Sequence, residues 1–272
     1  MKILCLEKFN SLETPAILNQ LGQVDEFIQY VPNDRTPLLA QLEKGNYNAL
    51  FVGLAHQIDK EVLDLCPNLK VVATRTTGLD HIDLDECEKR GIEVLSLRGE
   101  DEFLKTIPAT AEWTFLNMGM LLRKTGHELK GKTLGLIGYG RIGKLMENYA
   151  LAFGMKVLKT DNKIDTGVSL HEVLAVSDII SLHITADEEN RGYMSVILFS
   201  TMKWGSWFLN SSRDWLVNQE DLGVALESGR LVDAWSDFPA HRGGKTIESL
   251  IATEKFMALK LIEYVKESNK NL

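Results

Sequence analysis

The chain has 272 residues, 44% hydrophobic and 25% charged, which gives room for two domains of ordinary size in a soluble globular protein. Its 30 basic and 38 acidic residues leave a net charge of −8, which argues against nucleic acid or an anionic membrane surface as the main partner. No apolar run approaches the ~18 residues of a membrane span, and Cys5, Cys66 and Cys87 form no C-x-x-C pair, so reduced thiols in a cytoplasmic protein are expected rather than disulfides or a metal site.

The opening MKILCLEKF is too short and too alternating for a signal peptide, and residues 2–6 read as a first strand. Thr14-Pro15 and Thr36-Pro37 each read as an N-cap followed by proline at the first helical position. The helices they open carry Ile17, Leu18, Leu21 and Leu38, Leu39, Leu42 as stripes, with Gly22 and Gly45 as stops. Residues 24–30, 49–52, 70–74 and 92–95 complete five strands, and short helices at 60–65 and 84–90 separate the later ones. Asp80 and Asp83 read as caps, and His56, His81, His127 and His171 as surface or local-structure residues. This alternation predicts a parallel α/β sheet. A long helix over 109–123 follows, with Trp113, Leu116, Met120 and Leu121 on its apolar side.

Residues 133–137, TLGLI, are the short apolar run of a fully buried parallel strand. Gly138, Gly140 and Gly143 then spell G-x-G-x-x-G, and a helix follows with Ile142, Leu145, Met146, Tyr149, Ala150 and Phe153 at helical spacing. Gly154 ends it, and MKVLKTD is the next strand, closing on Asp161. Gly138 allows the tight turn, Gly140 lets backbone approach a pyrophosphate, and Gly143 lets helix and strand pack closely. Residues Gly138, Tyr139, Gly140, Arg141, Ile142 and Gly143 are therefore expected to line a dinucleotide site, with the free N–H groups of the helix start facing phosphate. Asp161 would accept hydrogen bonds from the adenosine ribose, which favours NAD over NADP. Further strands are expected at 176–184, 206–210 and 231–237, with helices at 169–174 and 219–228. The tail, 247–266, places Ile247, Leu250, Ile251, Met257, Ala258, Leu261 and Val265 at helical spacing.

Three other stretches carry chemistry. In TRTTGLDHIDL a strand ends in a glycine-containing loop whose amides, around Thr76, Thr77 and Gly78, could hold a small carboxylate. Arg213 follows the strand SWFLN, where a guanidinium can grip a carboxylate bidentately. His241, in a polar loop before the last helix, could exchange a proton near neutral pH.

Together TTGLDHIDL, ATAE, KTLGLIGYGRIGK, SDIISLH, MKWGSWFLNSSR and GGKTIES resemble the D-isomer-specific 2-hydroxyacid dehydrogenases, over most of the chain. The resemblance implies a flavodoxin-like substrate domain, 1–100 with 248–272, and a Rossmann-type NAD domain, 101–247. It implies that Arg213 orients a small 2-oxo acid, that His241 gives or takes the hydroxyl proton, and that NAD exchanges hydride with C2. It also places Asp237 near the nicotinamide carboxamide and puts His183 and Ser211 on loops lining the cofactor. Departures accompany it. The family's catalytic Glu, which holds and polarises the histidine, is absent, because Phe238-Pro239-Ala240-His241 runs directly onward. Trp113 replaces a histidine usual in that helix. The connection 123–130 is shorter than the family's dimer-wrapping arm, so weakened dimerisation is expected. The alternative to a working dehydrogenase is an engineered, trimmed or decayed member that keeps the fold and binds NAD without turnover.

Overall fold

Strand and helix alternate along the chain in a computed structural model that describes residues 1–27, 34–238 and 242–270. Two compact units form, Met1–Leu104 with Ile247–Leu272, and Lys105–Thr246. The first contains β1 (Lys2–Cys5), α1 (Glu13–Leu18), β2 (Gln23–Glu26), α2 (Thr36–Gly45), β3 (Ala49–Val52), α3 (Lys60–Asp64), β4 (Val71–Thr74), α4 (Leu84–Lys89), β5 (Glu93–Leu95) and α5 (Asp101–Leu104). The second contains α6 (Ala109–Lys124), β6 (Thr133–Ile137), α7 (Arg141–Ala152), β7 (Lys156–Thr160), α8 (Leu170–Val176), β8 (Ile179–Leu182), α9 (Val196–Thr201), β9 (Ser206–Asn210), α10 (Gln219–Glu227) and β10 (Leu231–Ser236). The last helix, α11 (Ile247–Lys270), returns to the first unit.

Both sheets are parallel and doubly wound. The first runs β2-β1-β3-β4-β5, the flavodoxin-like order, and the second runs β10-β9-β8-β6-β7. The central strands are apolar because helices cover both faces. In the first unit Leu4, Leu50 and Val72 pack against Leu38, Leu42 and Leu63, while Ile3, Phe51 and Val71 pack against Leu18, Met257 and Leu261. In the second, Leu134 and Leu136 meet Met118, Leu122 and Met146 on one face, and Ile180 and Phe208 meet Val173 and Phe199 on the other.

Several local expectations need correction. Neither Thr14 nor Thr36 caps its helix: Leu12 and Arg35 hold the N-cap positions, without side-chain bonds. Thr14 is instead buried in the first turn. The strand expected over 24–30 is confined to Gln23–Glu26 among the described residues. Val176 belongs to α8, and the strand begins only at Ile179, because the Ser169 side chain caps a helix that runs through the apolar Val173–Val176 stretch. The apolar side of α6 is Ala111, Phe115, Met118, Leu121 and Leu122, whereas Leu116 and Met120 are 62% and 68% exposed. That helix is apolar around much of its girth, so periodicity alone does not select the buried stripe.

Candidate active site

The second sheet changes direction between β6 and β8, and ligands of open α/β sheets bind outside the strand ends at such a point. The glycine turn lies there. Gly138 has φ 93°, and a Cβ on it would stand 2.5 Å from the His183 carbonyl oxygen. A Cβ on Gly143 would meet the Gly138 carbonyl at 2.4 Å, so this glycine is what lets α7 close onto β6. Gly140 is different: a Cβ there would meet no atom within 4 Å. It caps α7 without a side-chain bond, so the cap offers no side-chain acceptor to the first-turn N–H groups. The residues therefore fit a dinucleotide diphosphate, with open space on the side of Gly140 where a Cβ would point.

Asp161 directly follows β7, which ends one residue earlier than the sequence suggested. Its Oδ2 accepts the Tyr139 N–H at 2.7 Å and its Oδ1 the Lys163 N–H at 2.8 Å, which fixes the carboxylate beside the glycine turn. The Arg141 side chain turns away and donates to the Ile107 carbonyl at 2.6 Å; burial holds its pKa below the usual arginine value. Ile142 packs into the core with Tyr139. For Arg141 and Ile142 the peptide groups, not the side chains, are what a diphosphate would meet.

His183 follows β8. Its Nε2 pairs with Ser181 Oγ at 2.9 Å and its Nδ1 with Ser211 Oγ at 3.2 Å, joining the β8 and β9 loops. Burial pushes the imidazole from 6.5 down to about 4, so it is neutral near pH 7. Between those two values the unfolded chain binds the proton and the folded chain does not. The contribution to stability is thus complete above 6.5 and is lost as pH falls through 4. Unfolding titrations should show wild-type stability, relative to His183→Asn, falling by about 2–3 kcal/mol across that window. A pH-independent difference would refute it.

Arg213 is carried by a loop that Asn210 organises. Asn210 is 1% exposed; its Nδ2 donates to the Arg213 carbonyl at 2.7 Å and its Oδ1 accepts the Ser212 N–H at 2.9 Å. Asn210 carries no motif that marks it, though a polar residue closing the apolar strand SWFLN is a usable signal. The Arg213 guanidinium donates to the Ser212 carbonyl at 3.0 Å.

Asp237, just beyond β10, is 5% exposed. Its Oδ1 accepts Trp113 Nε1–H at 2.8 Å and the Arg242 N–H at 2.9 Å, and its Oδ2 accepts the Gly243 N–H at 2.8 Å. The tryptophan that stands where a histidine was expected thus anchors this carboxylate to α6. His241 lies outside the described residues, as do Pro239 and Ala240.

In the first unit, Thr76 shares a hydrogen bond with Thr74 Oγ1 at 2.8 Å and donates to the Gly78 carbonyl at 2.8 Å. Thr74 Oγ1 in turn pairs with the buried His81 Nε2 at 3.1 Å. These bonds curl the loop after β4 around its own oxygen atoms. Arg98 Nε donates to the Thr77 carbonyl at 3.4 Å.

Residues 104–259, more than half the chain, match the model of the D-isomer specific 2-hydroxyacid dehydrogenase, NAD binding domain. The chain belongs to this family. A glyoxylate reductase of Thermofilum pendens is 31% identical over 76% of this chain and 68% of its own length. A hydroxypyruvate reductase of Thermotoga maritima is 32% identical over 70% and 68%. A D-lactate dehydrogenase structure from Aquifex aeolicus, complexed with NAD and lactic acid, superposes with a TM-score of 0.80 at 23% identity, covering 100% of this chain and 97% of that one. At that identity the last comparison speaks for the fold. The glycine turn, Asp161, Arg213 and Asp237 all fall inside the matched dehydrogenase segment, and NAD is the cofactor that segment is named for. Among the described residues, no helix is long and apolar enough to cross a membrane.

Proposed function

We propose that the chain is an NAD-dependent oxidoreductase that interconverts a small 2-oxo acid and its D-2-hydroxy acid. The observation that carries this reading is the glycine turn at the β6/β8 crossover, where an uncapped helix start, an open Gly140 and a fixed Asp161 occur together. When bound, NADH supplies the hydride. Thr76, Thr77 and Gly78 offer peptide groups to a carboxylate, Arg213 orients and polarises the 2-oxo acid, and His241 gives the alcohol oxygen its proton or takes it back. Gly138, Tyr139, Gly140, Arg141, Ile142 and Gly143 meet the cofactor through their backbone, Asp161 takes the ribose hydroxyls, Asp237 lies near the nicotinamide carboxamide, and His183 and Ser211 are on loops lining the cofactor. Neutral His183 places no cation there. The three free, buried cysteines suit a reducing, cytoplasmic setting.

A second reading is a dehydrogenase fold that binds NAD with little turnover. It is favoured by the absence of a carboxylate in the run Phe238-Pro239-Ala240-His241, since a histidine without its orienting carboxylate loses up to roughly 10⁴-fold in the protease analogy. NADH should quench or shift tryptophan fluorescence under either reading, and no saturable change would remove both. NADH oxidation with a panel of 2-oxo acids separates them: turnover abolished by Arg213→Ala supports the enzyme, and no turnover with any acid supports the binder. The short 123–130 connection weakens dimerisation in this proposal; a tight dimer in sedimentation at low micromolar concentration would overturn that.

A further inference from the structure

Tyr139 sits inside the glycine turn, yet its side chain is held at both its edge and its face. Its hydroxyl donates to Glu147 Oε2 on α7 and accepts from Lys159 Nζ on β7 at 3.1 Å. Lys159 also donates to Glu147 Oε1 at 2.7 Å and lies 4.3 Å from the centre of the Tyr139 ring. Lys144, on the next turn of α7, lies 5.8 Å from the same ring. The Tyr139 peptide N–H meanwhile donates to Asp161. One residue thus connects the glycine turn, the middle of α7, β7 and Asp161. A bond to Glu147 raises the Lys159 ammonium above its usual value, which keeps the pair charged at physiological pH.

We infer that Tyr139, clamped by Glu147 and Lys159, is a positioning residue that holds the Gly138–Gly140 turn so that Gly140 and the start of α7 are presented to the diphosphate of a dinucleotide. This rests on the dinucleotide reading above. It does not follow from the glycine pattern, in which the residue after the first glycine is free to vary. Glu147 and Lys159 belong to elements that flank the turn and are 17% and 31% exposed at the side chain, so the clamp is partly shielded from water and salt. Its removal frees the tyrosine ring and, with it, the turn.

Tyr139→Phe keeps the ring and the N–H to Asp161 but removes the hydroxyl bonds. Affinity for NADH and ADP-ribose, read by fluorescence and calorimetry, should fall about tenfold, as the loss of charge-assisted bonds allows. Affinity for adenosine, read by NMR titration, should be unchanged, because adenosine has no phosphate and Asp161 is still held. Glu147→Gln should behave in the same direction. A merely structural triad would lower the unfolding midpoint and leave the ratio of ADP-ribose to adenosine affinity as in wild type; that result, or ADP-ribose binding of Tyr139→Phe equal to wild type, overturns the inference. Wild-type protein that binds none of these ligands would instead overturn the dinucleotide reading itself.

Discussion

Gly140→Ala should leave the fold intact and abolish most cofactor affinity, whereas Gly138→Ala should damage the fold itself. The two glycines are two residues apart, and local geometry separates them. A methyl on Gly140 meets nothing within 4 Å, and its backbone angles, φ −77° and ψ −158°, are accessible to alanine. Stability should therefore be unchanged or rise by up to about 1 kcal/mol from the reduced freedom of the unfolded chain. The same methyl occupies the approach that the diphosphate needs, so NADH affinity should fall by roughly 100-fold or more, about 3 kcal/mol. At Gly138 the left-handed φ of 93° and the 2.5 Å approach to the His183 carbonyl act together. Their combined cost is expected at about 3 kcal/mol or more, which for a chain of this size lowers the melting midpoint by roughly 6–12 °C. Calorimetric scans of both variants beside NADH titrations decide it. If Gly140→Ala binds NADH like wild type, the diphosphate does not pass over this glycine.

The alternation of short apolar runs with helices and the strand–turn–helix–strand–acid arrangement around Gly138 were legible in the sequence, because each rests on local periodicity and turn chemistry; the strand order came only with the family resemblance. Contacts between distant residues were not. Trp113 and Asp237 are 124 residues apart, and nothing near either one announces that an indole N–H fills a carboxylate there. The role of Asn210 depends on the curl of the loop it closes. The buried stripe of α6 is not legible for a related reason: with apolar residues on several sides, only the sheet it packs against selects Phe115 and Met118 over Leu116 and Met120.

Arg75→Met should cost the first unit about 3–5 kcal/mol of stability, and adding Glu254→Leu should recover at least half of that loss. Arg75 is 12% exposed and Glu254 2% at the side chain. Arg75 Nη1 donates to Glu254 Oε1 at 2.7 Å, and its other arm pairs with Glu7. Asn10 completes the shell of Glu254 through its peptide N–H, at 3.0 Å from Oε2, and its side-chain amide. Removing the arginine strands a carboxylate on α11 in the interior, with only the Asn10 donors left. Removing both charges replaces a desolvated pair by apolar contact, which is often neutral. Denaturant unfolding of the single and double variants measures the difference, and a loss below about 1 kcal/mol for Arg75→Met would show the pair to be effectively solvated. The location gives the pair a consequence for ligand binding. The first sheet reverses between β1 and β3, and the Glu7 carboxylate fills the space beside Gly53 there, where a Cβ would stand 2.1 Å from it. The crevice at that strand reversal thus holds the chain's own ions, Glu7 paired with the Arg75 that opens the loop after β4.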